Sequence, residues 1–207
     1  MPFENSRERL ADARLGAIVF LLPPPKMKNW TRDSSERVGE FRVFGVDRHV
    51  VRDGEGTPRG DFFTFACRDW CNVIAITPDD EVVLVWQYRF GTDLMSLEIP
   101  GGVIDDDESP IESSRRELLE ETGYAANALE PFLVVEPNPA LQGNRCFTFL
   151  ALGARQVAEP RLDEQEEIEI ALVPARHLAK ILDDGHVTHA LVHSALEAYL
   201  RRGRGPR

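Results

Sequence analysis

Cysteines and long apolar runs are both scarce in this chain of 207 residues. Its three cysteines, Cys67, Cys71 and Cys146, include no C-x-x-C pair, which argues against a disulfide framework and predicts buried thiols in a reducing cytoplasm. No apolar run reaches the roughly 18 to 20 residues needed to span a bilayer. The stretch 15–25 follows a segment of mixed charge and precedes no small-residue cleavage site, so we interpret residues 1–28 as an N-terminal arm.

Positive charge is also scarce. The chain has 24 Lys and Arg residues against 35 Asp and Glu residues, for a net charge of −11. Such a surface argues against nucleic acid or an anionic membrane as a partner. The basic tail, residues 201–207, is the one feature that would favour RNA binding, and the overall acidity outweighs it. An anionic substrate would therefore require cations between itself and the protein.

The remaining composition is that of a globular protein with a core. Hydrophobic residues make up 43% and charged residues 29% of the chain. Residues 36–66 are rich in strand-forming patterns, and the apolar segments 71–77 and 81–89 predict a buried hairpin. Two further helical segments follow near the C-terminus. Mixed strands with only two or three helices predict an α+β fold.

An acidic helix is predicted from Pro110 to Thr122. Ser109 is a good N-cap and forms a capping box with Glu112, while Pro110 suits the first helical position. Gly123 is placed to end the helix. Both ends of this helix are therefore well specified by local sequence.

Three carboxylates are crowded onto this helix. Glu117 and Glu121 lie one turn apart with Glu120 beside them, and like charges at that spacing cost roughly 0.2 to 0.5 kcal/mol. A divalent cation such as Mg²⁺ would resolve the repulsion, because it prefers oxygen ligands. A solvated acidic face is the alternative, which the caps, Arg116 and the glycines of the "PGG" turn at 100–102 disfavour. An EF-hand is excluded, because "DDDE" has adjacent acids and lacks the required glycine.

The stretch from Gly102 to Tyr124 resembles the signature of the Nudix hydrolases, G-x5-E-x7-R-E-U-x-E-E-x-G-U, with U a bulky apolar residue. The matching positions are Gly102, Glu108, Arg116, Glu117, Leu118, Glu120, Glu121 and Gly123. Tyr124 departs mildly from the pattern, since an aliphatic residue is more usual there. Weaker similarity over about 70–200, including "QYRFG", "LEIPGG" and "NPALQGN", resembles the branch that acts on ADP-ribose and other nucleoside diphosphate sugars.

The resemblance implies an architecture. We expect an α+β fold, the Nudix α/β/α sandwich with a mixed sheet, over residues 70–200. An N-terminal antiparallel β segment, residues 29–69, resembles the part through which this branch forms homodimers. The arm 1–28 and the basic tail 201–207 complete the predicted organisation.

The resemblance also implies roles for the acidic residues. Glu117 and Glu121 match the principal metal ligands, followed by Glu120, and the carbonyl of Gly101 matches a backbone ligand. Arg116 matches the arginine that orients these glutamates, and Glu108 is a supporting carboxylate. The catalytic base of this branch lies on a late acidic loop, which corresponds here to 161–170. Glu164 is our first candidate for the base and Glu166 the second, against the alternative of a merely solvated loop.

The candidate substrate-binding residues lie outside the signature stretch. Arg89 resembles the residue that contacts the diphosphate, and Pro139 matches a proline found near that place in the ADP-ribose enzymes. Trp70 is a candidate for stacking on a purine, although such aromatics more often belong to a core or an interface. His186 and His189 are predicted to be surface residues.

The expected function is Mg²⁺-dependent hydrolysis of the diphosphate bond of ADP-ribose or a related nucleoside diphosphate sugar, with Mn²⁺ as a possible substitute for Mg²⁺. The products would be a nucleoside monophosphate and a sugar phosphate. GDP-mannose or another nucleotide sugar is the alternative substrate, and a non-catalytic nucleotide-sugar sensor is a less favoured function. We expect a cytoplasmic homodimer that acts on small molecules, with neither nucleic acid nor a membrane as partner.

Overall fold

The computed structural model of the chain describes residues 26–202. Most of the predicted arm, residues 1–25, and residues 203–207 of the predicted basic tail lie outside the described residues. Of those described, one compact unit comprises 26–36 and 48–62, and a second comprises 37–47 and 63–202. No helix in this described stretch is long and apolar enough to cross a membrane. The domain boundaries given above remain predictions.

Three N-terminal strands form a sheet of their own. They are β1 (Thr31–Glu40), β2 (Gly45–Arg52) and β3 (Pro58–Ala66), in the order β1–β2–β3. The first strand is almost entirely exposed, and many of its side chains are charged. The predicted N-terminal antiparallel β segment is confirmed.

A seven-stranded sheet forms the centre of the second unit. The remaining strands are β4 (Trp70–Ile76), β5 (Glu81–Arg89), β6 (Leu94–Glu98), β7 (Gly101–Val103), β8 (Tyr124–Ala125), β9 (Glu130–Val135), β10 (Cys146–Leu152), β11 (Arg155–Gln156) and β12 (Ile168–Pro174). The order is β12–β5–β4–β10–β9, with β6 added to β5 and β7 added to β4. The β4–β10 pair is parallel and the β5–β12 pair antiparallel, so the sheet is mixed as expected.

Helices cover both faces of this sheet. They are α1 (Pro110–Thr122), α2 (Leu178–Asp183) and α3 (Ala190–Arg202). Side chains alternate between the two faces of a strand, and β4 shows this directly. Val73 belongs to the cluster that contains Leu118 of α1, whereas Ile74 belongs to the cluster that contains Leu196 of α3. The near-continuous apolar runs of β4 and β5 follow from this double burial, and the α+β sandwich is confirmed.

Candidate active site

Helix α1 has the ends that the sequence predicts. The Ser109 side chain accepts a hydrogen bond from the Glu112 N–H, and the Glu112 carboxylate accepts one from the Ser109 N–H. Gly123 ends the helix with φ of 71°, and its N–H donates to the Leu119 carbonyl. A side chain at Gly123 would also collide with the Ala158 carbonyl oxygen. This local chemistry fixes the orientation of the acidic face of α1.

Arg116 holds three carboxylates around one guanidinium group. Its Nε donates to Glu108 Oε1 over 2.9 Å, and its Nη1 donates to Glu117 Oε1 over 3.0 Å and to Glu120 Oε2 over 3.1 Å. Hydrogen bonds from Arg116 and Ser113 lower the pKa of Glu108 to about 2. The geometry therefore has the form expected of an arginine that orients these glutamates.

Glu117 and Glu121 are the desolvated members of this group. Burial raises the pKa of Glu117 to about 6, although Arg116 opposes the shift. Burial raises the pKa of Glu121 to about 8, and the hydrogen bond that its Oε2 accepts from the Gly101 N–H, over 2.9 Å, compensates only in part. Glu120 differs, since 45% of its side chain is exposed. A buried carboxylate, Glu121, and a largely buried one, Glu117, thus lie one helical turn apart at the centre of the site.

The glycines of the "PGG" turn let the backbone pass close to these carboxylates. Strand β7 pairs with β4, with Gly101 opposite Asn72 and Gly102 opposite Cys71. A Cβ atom at Gly102 would collide with the Glu117 carboxylate, and one at Gly101 with the Cys71 carbonyl. Gly101 meets Glu121 through its N–H, and the role of its carbonyl as a ligand stays a prediction.

A second charged pair lies beside this centre. Arg89 at the end of β5 donates two hydrogen bonds of 2.7 Å to Glu98 at the end of β6. Glu98 is 3% exposed, and the Nε2 atom of His189 lies 3.9 Å from its Oε2. Burial alone would raise the pKa of Glu98, but the hydrogen bonds and charge of Arg89 hold it below its ordinary value. Arg89 is thus fixed in place by a buried carboxylate.

A cavity of 310 Å³ opens beside Gly101 and Gly102. Its walls include Trp70, Arg89 and Glu98 as well as His189, which precedes α3. The prediction that His189 is a surface residue is wrong in part, because its Nδ1 atom is buried. Pro139 lies in an exposed turn outside the set of residues that line this cavity.

The late acidic loop approaches the site through Glu166. Glu164 and Glu166 are both exposed in the segment before β12, and the Glu166 N–H donates to the Asp163 carbonyl. The charge of Glu166 contributes to raising the pKa of Glu117 and of Glu121. Glu166 also lines a second cavity together with Arg89. Of the two candidates, Glu166 is therefore the one whose charge acts on Glu117 and Glu121, and the role of either residue as the base stays a prediction.

Sequence reasoning overlooked Glu98 and Asn72, and it misplaced His189. Asn72 is 6% exposed and lies in the middle of an apolar strand, while Glu98 follows the apolar residues of β6. The available signal was a polar residue inside a strand whose neighbours are buried, because such a residue needs a partner or a function. Nothing in the spacing of His189 indicated that it would face the same cavity.

The donor chemistry of this site fits a hard divalent cation. Glu121 is 4% exposed and forms no ion pair with any cationic side chain within residues 26–202. A buried carboxylate without a countercharge in contact is unfavourable, and oxygen-preferring cations supply that charge. Among the described side chains, no three acids, histidines or cysteines already converge on one point. Arg116 instead bonds Glu117 and Glu120, so the ligand assignment stays a prediction.

Comparison with known proteins points to one family. Residues 69–192, more than half of the chain, match the NUDIX domain. The chain is 30% identical over 126 residues to the ADP-ribose pyrophosphatase of Bacillus subtilis (strain 168), covering 60% of this chain and 68% of that one. It is 31% identical over 165 residues to the ADP compounds hydrolase NudE of Escherichia coli (strain K12), covering 78% and 86% respectively.

Comparison of the fold with solved structures points to the same family. A crystal structure of an ADP compounds hydrolase superposes with a TM-score of 0.76 at 25% identity, covering 86% of this chain and 96% of that one. The resemblance in residues 102–124 is thereby confirmed. The chain belongs to the Nudix hydrolase family, as a pyrophosphohydrolase similar to its ADP-ribose branch.

Proposed function

We propose that this protein hydrolyses the diphosphate bond of ADP-ribose or a related nucleoside diphosphate sugar in a reaction that depends on Mg²⁺ or Mn²⁺. The main support is the pair of Glu121, which is buried, and Glu117, whose side chain is 13% exposed, one turn apart against the backbone of Gly101 and Gly102. The names of the similar enzymes, which act on ADP-ribose and ADP compounds, support the choice of substrate class.

The carboxylates of Glu117, Glu120 and Glu121 and the carbonyl of Gly101 would hold the metal. Such ions, when bound, neutralise the diphosphate and stabilise the charge that develops at phosphorus. Arg116 contributes indirectly, because its bonds to Glu117 and Glu120 limit the orientations of both carboxylates. The acidic protein would otherwise repel a doubly charged substrate.

The reaction consumes one water molecule. The water oxygen forms a bond to one phosphorus, and the bridging P–O bond to that phosphorus breaks. The bridging oxygen leaves with the other phosphate. The products are a nucleoside monophosphate and a sugar phosphate, and the protons of the water pass to an acceptor group and then to solvent.

Glu166 is the proton acceptor that we propose, with Glu164 as the alternative. A general base must reach the attacking water, and the charge of Glu166 already acts on Glu117, Glu121 and Arg89. Exposed loops commonly close over a bound substrate, which would bring this carboxylate closer. Arg89 would contact the diphosphate from the place where Glu98 holds it.

We also propose that the active form is a cytoplasmic homodimer. Large apolar side chains stand exposed on and next to β1 and β3, among them Phe41, Val43, Phe63 and Phe65, and the ring of Phe44 packs against those of Phe41 and Phe65. Exposed apolar patches of this kind mark interaction surfaces. The three cysteines are free thiols, which a reducing compartment preserves. Equilibrium sedimentation would test the assembly, and a monomer at working concentration would contradict it.

A panel of substrates tests the activity. The purified protein is incubated with ADP-ribose, GDP-mannose and ATP, in chelator and again after Mg²⁺ or Mn²⁺ is added, and monophosphate release is measured. We expect ADP-ribose to be cleaved, with no turnover in chelator and recovery with either metal. If GDP-mannose alone is cleaved, the substrate is GDP-mannose instead of ADP-ribose. Tight binding of ADP-ribose without any cleavage would instead support the alternative function of a non-catalytic nucleotide-sugar sensor.

A further inference from the structure

The cavity beside Gly101 and Gly102 has two polar groups with no partner among the described residues. Asn72 Oδ1 and His189 Nδ1 are both buried, and neither forms a hydrogen bond within residues 26–202. Both residues line the cavity. Buried polar atoms are nearly always hydrogen-bonded, because leaving them unpaired is costly. Two such atoms at one cavity indicate that a ligand supplies the missing partners.

The two groups come from different elements. Asn72 lies on β4, where it is 6% exposed and its backbone pairs with Gly101. His189 lies immediately before α3, and its Nε2 faces the Glu98 carboxylate at 3.9 Å. A carboxylate on that side favours the proton on Nε2, which leaves Nδ1 as an acceptor. Asn72 presents its carboxamide oxygen, so the cavity offers two acceptors to groups that donate.

One wall of the cavity lies next to the proposed metal site. Gly101 and Gly102 line it on one side, while the Gly101 N–H donates a hydrogen bond to Glu121 and a Cβ atom at Gly102 would collide with the Glu117 carboxylate. A group in the cavity is therefore adjacent to the centre where the diphosphate would be cleaved. In a nucleoside diphosphate sugar, the groups attached directly to the two phosphates are sugar rings, and the base lies one ring further away.

The size of the cavity agrees with one ring. Its volume of 310 Å³ leaves room for a sugar ring. A sugar ring carries neighbouring hydroxyls, each able to donate one hydrogen bond. Two donors on one ring match two acceptors on the wall.

We propose that Asn72 and His189 form a sugar-hydroxyl subsite that gives this protein its preference for sugar-bearing diphosphates. The inference rests on the proposed function and assigns to these two residues the recognition of the ring next to the cleaved bond. Their carboxamide and imidazole accept hydrogen bonds from two ring hydroxyls.

Kinetics with two substrates test the subsite. ADP-ribose is compared with ADP methylated on its terminal phosphate, which keeps the diphosphate and the adenosine but lacks the second sugar. We expect wild-type protein to prefer ADP-ribose in kcat/KM, and Asn72→Leu and His189→Leu each to reduce that preference about 5- to 10-fold, the effect of one lost neutral hydrogen bond. His189→Gln retains an acceptor and should recover part of the preference.

A matched control separates recognition from damage to the sheet. Thr148 is the register partner of Asn72 on β10, is 2% exposed and does not line the cavity. Thr148→Val should keep the wild-type preference between the two substrates. Thermal melting curves of all the variants report whether each one is folded, and the His189 variants keep the test valid if Asn72→Leu fails to fold.

Direct binding separates failure of the subsite from failure of the proposed function. Calorimetry with ribose 5-phosphate should show weaker binding to Asn72→Leu than to Thr148→Val. If the wild type cleaves neither substrate but this difference is seen, the proposed function is wrong and the subsite stands. If both leucine variants keep the wild-type preference and ribose 5-phosphate affinity, the cavity holds only water and the subsite is wrong. Loss of adenine binding instead of ribose 5-phosphate binding would also overturn it.

Discussion

Arg89 and Glu98 form a two-point ion pair, in which Nε donates to Oε1 and Nη2 donates to Oε2, each over 2.7 Å. The two partners differ in exposure, since 4% of the Glu98 side chain and 42% of the Arg89 side chain are accessible. The pair therefore anchors a partly exposed cation on a buried anion. Two parallel hydrogen bonds of this kind fix the orientation of a guanidinium group. Arg89 is thereby held ready to contact an anionic substrate.

The first prediction concerns the stability that this pair provides. Arg89→Ala leaves Glu98 as a buried carboxylate without its countercharge, and we expect a loss of about 3 kcal/mol in unfolding free energy at pH 8. Without Arg89, burial raises the folded-state pKa of Glu98 above its unfolded value, so stability is retained at low pH and lost as the pH rises. The loss measured by urea denaturation should therefore be smaller at pH 5 than at pH 8.

A second substitution serves as the control for this prediction. Adding Glu98→Gln to Arg89→Ala removes the unpaired charge, and the double variant should recover part of the lost stability at pH 8. Equal losses for the single variant at pH 5 and pH 8 would show that the effect comes from lost packing of the arginine and not from the unpaired charge of the buried Glu98.

The second prediction concerns the paired carboxylates of α1. Glu117→Gln and Glu121→Gln each remove one charge from the proposed metal site but keep the side-chain shape, so we expect kcat to fall by about two orders of magnitude or more. The protein should remain folded. Asp107→Asn, which changes an exposed acid in the loop before α1, should leave turnover unchanged. Near-wild-type turnover in either glutamine variant would refute the metal assignment.

The third prediction follows from the burial of Glu121. Its pKa of about 8 in the folded protein lies above its ordinary value near 4.5, so the folded state binds the proton more tightly than the unfolded state does. Stability without metal should therefore decline as the pH rises from about 4.5 to about 8, and this group alone should contribute a decline of roughly 2 to 4 kcal/mol.

Denaturation in chelator at pH 5 and pH 8 measures this decline. Glu121→Gln has no ionisable group at this position. Its free energy of unfolding should therefore decline less between the two pH values than that of the wild type. At pH 8 the variant should be the more stable protein. A variant that is less stable than the wild type at pH 8 would mean that the Gly101 hydrogen bond to the charged carboxylate outweighs desolvation.

Local sequence determined one part of this site and long-range packing the other. Helix α1 was predicted to the residue because Ser109, Glu112 and Gly123 act on backbone groups within a few positions of themselves. The placement of Arg116 among Glu108, Glu117 and Glu120 follows from the same short stretch. These interactions depend little on the rest of the fold.

The cavity could not be derived in the same way. Asn72 and His189 are brought together by the packing of α3 against the sheet, and no periodicity in either segment records that contact. Arg89 was expected to contact the diphosphate, but its partner Glu98 lies on a neighbouring strand and depends on the β5–β6 register. Contacts between elements of this kind require three-dimensional information.

The last prediction concerns the proton acceptor, for which the sequence offers Glu164 first and we propose Glu166. The charge of Glu166 raises the pKa of both Glu117 and Glu121, which places it within electrostatic reach of this pair. Glu166→Gln should therefore lower kcat by a factor of roughly 10² to 10⁴, the usual effect of losing a general base. KM should change little, because the diphosphate is held by other groups.

Glu164→Gln is the matched variant on the same loop, and it should lower kcat much less. If Glu164→Gln lowers kcat more than Glu166→Gln does, the base is Glu164 and the mechanism is otherwise unchanged. If neither variant slows turnover more than about threefold, the base lies outside this loop, because a group that takes the proton of the attacking water cannot be removed at so small a cost.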